Sequence, residues 1–143
     1  MAYLTTTVVT VNLCGIYSDV KLSMLKNFLN YYKHDFVFLQ EVAVESFNFY
    51  GYKEIVNLNR ERRGTAVLFK ESIPVKSVCQ LSDGRGVAVQ FRDVVLINIY
   101  APSGSQNRQQ KRLFCGRHDA FIPGSSKQVN TWGGLQLCSR SAG

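Results

Sequence analysis

Three polar residues stand where apolar, strand-like segments end. Glu41 follows the run Phe-Val-Phe-Leu-Gln, Asn12 ends a β-branched run, and Tyr100 ends the run Val-Val-Leu-Ile-Asn-Ile. A carboxylate at the end of a buried strand loses its hydration unless it is paired with a cation. Strand ends are also where α/β scaffolds hold rigid sites. The three positions together therefore indicate a candidate cation-binding or catalytic site.

Each of the three residues also has a purely structural interpretation. Glu41 could be a surface carboxylate at the first position of a loop. Asn12 could form a turn before Gly15, and Tyr100 could be an amphipathic aromatic residue at a sheet edge. Taken singly, these interpretations are the more common ones, so the argument for a site depends on the combination.

The elements that must position these residues begin with a β-α-β unit. Residues 6–13 read as a buried strand closed by Gly15, and residues 35–40 have the unbroken apolarity of a strand covered on both faces. Between them lies a predicted helix with Asp19 as its N-cap. Its apolar positions recur at helical spacing, at Leu22, Leu25, Phe28, Leu29 and Tyr32.

Short strands separated by turn residues follow this opening. They are predicted over residues 52–56, 64–69, 75–80, 86–91 and 94–100. Asp83-Gly84 and Arg92-Asp93 are the predicted hairpin turns. Residues 106–114 begin what reads as a second helix. The pattern predicts the α/β class.

Four segments resemble elements of the endonuclease/exonuclease/phosphatase superfamily. Two of them end in a family motif: residues 35–41 end in Leu-Gln-Glu, and residues 96–102 end in Tyr-Ala-Pro. The other two are residues 10–16, before the first motif, and residues 63–68, between the motifs. They occur in family order. The resemblance extends over about residues 6–114 and is greatest to the apurinic-endonuclease-like endonuclease of a non-LTR (LINE-type) retrotransposon.

The resemblance implies a fold and a chemistry. The fold is a partial four-layer α/β/β/α sandwich of the DNase I-like type, and the activity is hydrolysis of DNA phosphodiesters with Mg²⁺ or Mn²⁺. By resemblance, Glu41 holds the cation, Asn12 orients the metal site or a phosphate, and Tyr100 hydrogen-bonds the scissile phosphate. Water is the nucleophile, and no small-molecule cofactor is expected.

The charge of the chain favours an anionic partner. The sequence has 17 Lys and Arg against 10 Asp and Glu, a net charge of +7. A solvated basic surface is the alternative. The residues expected to contact DNA are Arg63, Asn98, Arg108 and Lys111, and further basic candidates are Arg60, Arg62 and Arg112.

Cysteine spacing and hydropathy predict the compartment. Cys14, Cys79, Cys115 and Cys138 are widely scattered, so reduced thiols are expected. No apolar run reaches the roughly 18 residues that would span a bilayer, and no signal peptide is recognisable. The prediction is an intracellular protein, nuclear or cytoplasmic and not secreted, without a membrane partner.

Two catalytic elements of the family are missing from the sequence. The family's Gly-Asp-Phe-Asn element positions the attacking water, and its Ser-Asp-His element binds phosphate; neither string occurs, and neither His34 nor His118 matches. DNA cleavage is therefore expected to be impaired or lost. The alternatives are a non-catalytic, basic nucleic-acid-binding fragment and a non-functional retrotransposon remnant.

The domain prediction divides the chain at residue 114. Residues 1–114 are expected to form the N-terminal part of the domain, and residues 115–143 an irregular tail without family resemblance. Codons permitted for residues 129–137, read one base forward, can encode Leu-Ile-Leu-Gly-Gly-Asp-Phe-Asn. We hypothesise that the reading frame slips near Phe114 and Cys115. Coincidence assisted by codon choice is the alternative.

Sequencing the coding DNA tests the frame-slip hypothesis. The second frame is expected to encode Gly-Asp-Phe-Asn within the codons for residues 129–137. A coding strand that lacks this string in that frame would overturn the hypothesis.

Overall fold

The computed structural model describes residues 5–15, 18–100, 130–132 and 135–139, which form two β-sheets and, within these ranges, one α-helix. The helix is α1 (Asp19–Tyr32). The strands are β1 (Val8–Asn12), β2 (Phe36–Val42), β3 (Tyr52–Leu58), β4 (Gly64–Lys70), β5 (Val75–Gln80), β6 (Gly86–Phe91), β7 (Val94–Ile99), β8 (Asn130–Trp132) and β9 (Leu135–Ser139). This arrangement confirms the predicted α/β class.

The two sheets differ in their connections. The first has the order β1-β2-β4-β3, and the second has the order β5-β6-β7-β9-β8. Strands β1 and β2 are parallel, from Val8 opposite Phe36 to Asn12 opposite Gln40, whereas the other pairs are antiparallel. Because parallel neighbours need a crossover, α1 connects β1 to β2, and the strands both end at the same sheet edge.

Helix α1 begins and ends with clear capping interactions. Ser18 is the N-cap, and its hydroxyl accepts a hydrogen bond from the Lys21 amide at 3.4 Å. The prediction that Asp19 caps the helix was wrong by one residue, since Asp19 is its first residue. Lys33 adopts the left-handed conformation with φ 52° and donates its N–H to the Leu29 carbonyl at 2.9 Å. The described residues contain no helix long and apolar enough to cross a membrane.

Strand β2 is buried on both faces. Its residues Val37 and Leu39 pack in the cluster that includes Leu29 of α1, and Phe36 and Phe38 pack in the cluster shared with the second sheet. The four strand residues are at most 1% exposed. Because alternate residues point to opposite faces, this burial accounts for the unbroken apolar run seen in the sequence.

The predicted elements agree with the structure, with differences mainly at their ends. Strands β5 and β6 have the predicted bounds, whereas β2 extends past Gln40 to Val42, and β3 extends to Leu58. The predicted helix over residues 106–114 lies outside the described residues.

The C-terminal tail contains regular structure that the sequence did not predict. Strand β9 pairs with β7 from Leu135 opposite Asn98 to Ser139 opposite Val94, and β8 pairs with β9. An open edge of β7 would present unpaired backbone groups, and pairing with β9 satisfies them. The expectation of a wholly irregular tail was therefore wrong for these strands, and the division at residue 114 stays a prediction.

A network around Asp35 joins the first sheet at the end remote from Glu41. The Asp35 carboxylate accepts hydrogen bonds from the Thr7 amide at 2.9 Å, the Thr7 hydroxyl at 3.0 Å and Lys70 Nζ at 2.9 Å. Burial acts to raise the pKa of Asp35, but the hydrogen bonds from Thr7 and Lys70 outweigh it and hold that pKa below its ordinary value.

We expect Asp35→Ala to lower the free energy of unfolding by about 2 kcal/mol at pH 7, since it removes hydrogen bonds to a charged group. Because the folded-state pKa of Asp35 is depressed, its stabilisation is present above the unfolded value of 3.8 and is lost as the pH falls through the folded value. Urea unfolding of both proteins at several pH values measures this. The control is Asp93→Ala in the exposed β6–β7 turn, and equal losses for the two variants would contradict the prediction.

Candidate functional site

Glu41 lies at a β-bulge near the end of β2. The pairing with β4 passes from Gln40 opposite Thr65 to Val42 opposite Gly64, so Glu41 has no partner, and its φ is 54°. A residue other than glycine in this conformation costs about 1–3 kcal/mol, which the surrounding structure must offset. A bulge changes the direction of the side chain at its position. Glu41 therefore does not follow the alternation of side chains between the two faces of β2.

The backbone on both sides of the bulge is held by the exit of β1. The amide of Leu13 donates to the Gln40 carbonyl at 2.9 Å, and that of Gly15 donates to the Glu41 carbonyl at 3.1 Å. These bonds attach the segment after β1 to the end of β2. The parallel pairing of β1 and β2 therefore continues into the site.

The structure brings Asn12, Glu41 and Tyr100 together. Asn12 Nδ2 and the Tyr100 hydroxyl both donate to Glu41 Oε1, each at 3.0 Å. The Cys14 amide donates to Asn12 Oδ1 at 2.8 Å, which orients the Asn12 amide. Three strand ends from both sheets thus converge on one carboxylate oxygen.

The second oxygen of Glu41 and the adjoining cleft remain available to a ligand. Within residues 5–15 and 18–100, no group donates a hydrogen bond to Glu41 Oε2. The cleft has a volume of about 430 Å³. Its charged and phenolic lining residues are Glu41, Glu61, Arg63, Asp83, Arg85 and Tyr100.

The β5–β6 turn forms one wall of this cleft because buried side chains of the first sheet hold it. Asn57 Nδ2 donates to the carbonyls on either side of the turn, to Leu81 at 2.7 Å and to Gly86 at 2.9 Å. The Thr65 hydroxyl donates to the Gly84 carbonyl at 3.2 Å. These three bonds fix the turn against β3 and β4.

Gly84 allows the turn to approach closely. Its φ is +67°, and a Cβ there would lie 2.7 Å from the Arg63 carbonyl oxygen and 2.8 Å from the Asn59 nitrogen. A side chain would therefore clash with backbone as well as strain the turn. The loop opposite is shaped by Asn59, whose Oδ1 accepts from the amides of Glu61 at 3.0 Å and Arg63 at 2.9 Å.

Arg85 is a cleft residue that the sequence analysis did not identify. Its carbonyl accepts the Tyr100 amide at 2.9 Å, and its side chain lines the cleft. The only sequence signal was its position after the predicted Asp83-Gly84 turn. Arg85 lies beside Tyr100 because the β6–β7 pairing, which places Gly86 opposite Ile99, continues by one residue. That signal could not show that this end of the hairpin faces Glu41, because the cleft forms where the second sheet packs on the first.

The Tyr100 phenol keeps its proton more strongly than an ordinary tyrosine. Burial raises the pKa of Tyr100, and its hydrogen bond to Glu41 and the negative charge of that carboxylate raise the pKa further; the charge of Arg85 acts in the opposite direction. The phenol is therefore a hydrogen-bond donor at neutral pH.

Asn98 was expected to contact nucleic acid, and this expectation was wrong. The side chain is 0% exposed, and its Nδ2 donates to the carbonyls of Leu39 and Ala66, both at 2.9 Å. It ties β7 of the second sheet to β2 and β4 of the first. Asn98 Oδ1 is buried without a partner in the described part of the chain.

The other residues expected to contact DNA divide into two groups. Arg63 is exposed at the cleft, as a DNA contact requires. Arg108 and Lys111 lie outside the described residues. Of the cysteines, Cys14 and Cys79 are free and exposed.

A metal ion at this site would have few protein ligands. The described residues contain no group of three or more His, Cys, Asp or Glu side chains that could hold a metal ion. Among the described residues, the Glu41 carboxylate lies at the converging strand ends, and Glu61 and Asp83 line the same cleft. Mg²⁺ is commonly bound through one or two carboxylates, with water and substrate phosphate completing its shell, so the site fits such an ion.

Several solved structures share this fold. An AP endonuclease from Archaeoglobus fulgidus aligns with TM-score 0.63 and 21% identity, over 82% of this chain and 51% of that one. The 3′ phosphatase NExo from Neisseria, bound to product DNA hairpin, aligns with TM-score 0.65 and 18% identity over the same shares, 82% and 51%. The endonuclease domain of TRAS1, a telomere-specific non-LTR retrotransposon, gives 0.58 and 14%, over 82% and 56%.

These likenesses establish the fold of the chain. It is an α/β fold of the DNase I-like type, and the chain spans about half the length of the structures it matches. No protein-family model and no curated protein matches the sequence.

We expect Glu41→Gln to lower the pKa of Tyr100, because the substitution removes a negative charge that disfavours the tyrosinate. NMR titration of tyrosine labelled at ¹³Cζ measures the effect, with Tyr100→Phe assigning the signal. Glu61→Gln in the same cleft is the matched control and is expected to move that signal less. An equal or larger shift in the control would contradict the assigned contact.

Proposed function

Since the chain has the fold of the endonuclease/exonuclease/phosphatase superfamily over about half of such a domain, we propose that it is the N-terminal part of a metal-dependent DNA endonuclease. The observation that carries the proposal is the convergence of Asn12 and Tyr100 on Glu41. The 143 residues of this chain do not include the Gly-Asp-Phe-Asn and Ser-Asp-His elements, and we propose that this span by itself has impaired turnover or none.

Glu41 is the proposed ligand of Mg²⁺ or Mn²⁺. Its Oε1 is occupied by the two hydrogen bonds, which leave Oε2 for a hard cation. When bound, the cation supplies positive charge that stabilises the oxyanion leaving group. The bulge holds the carboxylate at the cleft before any ligand arrives, so little reorganisation is needed on binding.

Asn12 and Tyr100 have separate proposed roles. Asn12 holds the Glu41 carboxylate in one orientation, and its own amide is fixed by Cys14. The Tyr100 hydroxyl donates a hydrogen bond to a phosphate oxygen of the substrate. That oxygen replaces Glu41 Oε1 as the acceptor. Burial raises the pKa of Tyr100 and so keeps the phenol protonated, with a hydrogen available to donate as charge develops on the phosphate.

The cleft offers two guanidinium groups to the DNA backbone beside its three carboxylates, Glu41, Glu61 and Asp83. Arg63 and Arg85 line the side formed by the β3–β4 loop and the β5–β6 turn. Guanidinium groups bind phosphates through paired N–H donors, so both residues are proposed phosphate contacts. The net charge of +7 adds long-range attraction to DNA.

Loss of turnover is proposed because neither the element that positions the attacking water nor the element that binds phosphate is present in the sequence. The sequence contains neither the Gly-Asp-Phe-Asn nor the Ser-Asp-His element. His34 precedes the opposite end of β2, whose seven residues span about 20 Å. One positioned acid-base group is typically worth about 10²- to 10⁴-fold in rate, so losing several leaves activity near background.

The second candidate function is nucleic-acid binding without cleavage, in a protein expected to be intracellular. The exposed Arg63 and the cleft position of Arg85 favour it, because phosphate binding needs none of the missing elements. A non-functional retrotransposon remnant is the third candidate. Its signature is an absence of cooperative unfolding and of DNA binding at low salt.

Nicking of supercoiled plasmid with Mg²⁺ tests the proposal. The native chain and a version with the second frame restored after Phe114 are compared, each with and without Glu41→Ala. We expect only the restored version with Glu41 to nick. In that version Glu41→Ala is expected to lower the rate by at least about 10²-fold, since it removes the proposed cation ligand.

Glu61→Ala in the restored version is the matched control, because it removes another carboxylate from the same cleft. Nicking by the restored version that survives Glu41→Ala would overturn the site assignment. Nicking by the native chain that depends on Glu41 would overturn the proposed loss of turnover. Salt-sensitive DNA binding without nicking, in both versions, would favour the second candidate function.

A further inference from the structure

A cluster of aromatic rings lies at the C-terminal end of α1, away from the cleft. It consists of Phe28, Tyr31, Tyr32 and His34 and is called here the aromatic platform. Tyr32 lies 4.8 Å from both Phe28 and Tyr31 between ring centroids, and 5.7 Å from His34 in a nearly parallel, 14° arrangement. The rings therefore form one contiguous group.

Two rings of the platform face solvent. Tyr31 is 80% exposed and Tyr32 is 58% exposed, whereas Phe28 and His34 are half-buried beneath the group. Contacts with the underlying rings limit the freedom of Tyr32, so little entropy is lost when a flat ligand binds on it. Neither tyrosine takes part in the Glu41 site, which lies at the other end of β2.

Two exposed lysines lie at this end of α1. Lys33 directly follows Tyr32, whereas Lys26 lies five positions before Tyr31 and therefore on a different side of the helix. The nearest acidic residue along the chain, Asp35, is already paired with Lys70 at 2.9 Å and accepts two bonds from Thr7. The local charge is thus suited to a phosphate backbone.

We propose that the aromatic platform binds single-stranded nucleic acid. Bases stack on Tyr31 and Tyr32, Lys33 contacts the adjoining phosphate, and Lys26 contacts the strand where it crosses α1. Exposed rings interleaved with cations are the arrangement that binds single strands with little sequence preference, because every base has a π-face. A duplex hides those faces between base pairs, so it binds this surface less well.

A partner helix is a less suitable occupant than a nucleic-acid strand. Exposed Val20 and Met24 continue from Tyr31 along one stripe of α1. Asn27 interrupts that stripe at the position where a packed helix would place an apolar side chain. The exposed apolar surface is consequently concentrated in the aromatic rings. A flat base can stack on these rings, whereas a helix would need a continuous apolar stripe.

The test measures binding of the full chain to a fluorescein-labelled thymidine 12-mer by anisotropy at low salt. The double variant Tyr31→Leu/Tyr32→Leu keeps apolar side chains and removes the stacking rings. We expect it to weaken binding by about tenfold or more, since stacking on an aromatic residue is worth about that factor for each base. Tyr50→Leu is the matched control, because Tyr50 is 96% exposed and lies outside the platform.

Two further measurements complete the test. Lys26→Gln/Lys33→Gln is expected to flatten the dependence of binding on salt, and an unlabelled duplex of equal length is expected to compete poorly. Full binding by the double tyrosine variant, equal competition by the duplex, or no binding by the parent chain would each overturn the proposal. Unchanged far-ultraviolet circular dichroism shows that each variant is folded.

Discussion

Strand β2 is buried on both faces and joins the helix layer to the second sheet. One face packs against α1, and the other packs against the second sheet through Phe36 and Phe38. This packing brings the end of β7, in the second sheet, to within hydrogen-bond distance of the end of β2. The contact between Tyr100 and Glu41 is therefore a consequence of how the layers pack.

Side-chain amides that are buried (Asn57 and Asn98) or half-buried (Gln40) define how the two sheets are aligned at the site end. Asn98 and Gln40 join β7 and β2 through backbone carbonyls, and Asn57 holds the β5–β6 turn. Apolar packing tolerates sliding of one sheet over another, whereas a buried amide loses its partners if the sheets shift. The main effect of these residues is to select one alignment of the two sheets, and their effect on net stability is smaller. The geometry of the cleft depends on that alignment.

The two ends of β2 have different chemistry. At the C-terminal end, Glu41 has a strained backbone at a bulge, its carboxylate accepts two hydrogen bonds, and a cleft adjoins it. The N-terminal end has a satisfied Asp35 network beneath exposed rings. The backbone conformation of Glu41 is costly, whereas the network at the other end strengthens the scaffold. The proposed cation site and the aromatic platform therefore lie at opposite ends of one strand.

The β-α-β opening, the doubly buried β2, the bounds of β5 and β6, and the three strand-end residues could all be predicted from the sequence. These features are local, since the apolar period, turn residues and strand ends can be read from neighbouring positions. That Asn98 is an internal tie, that Arg85 reaches the cleft and that β9 covers the edge of β7 became apparent from the folded chain. Those outcomes depend on which residues distant along the chain become neighbours, and that is set by sheet packing and register, which no local pattern encodes.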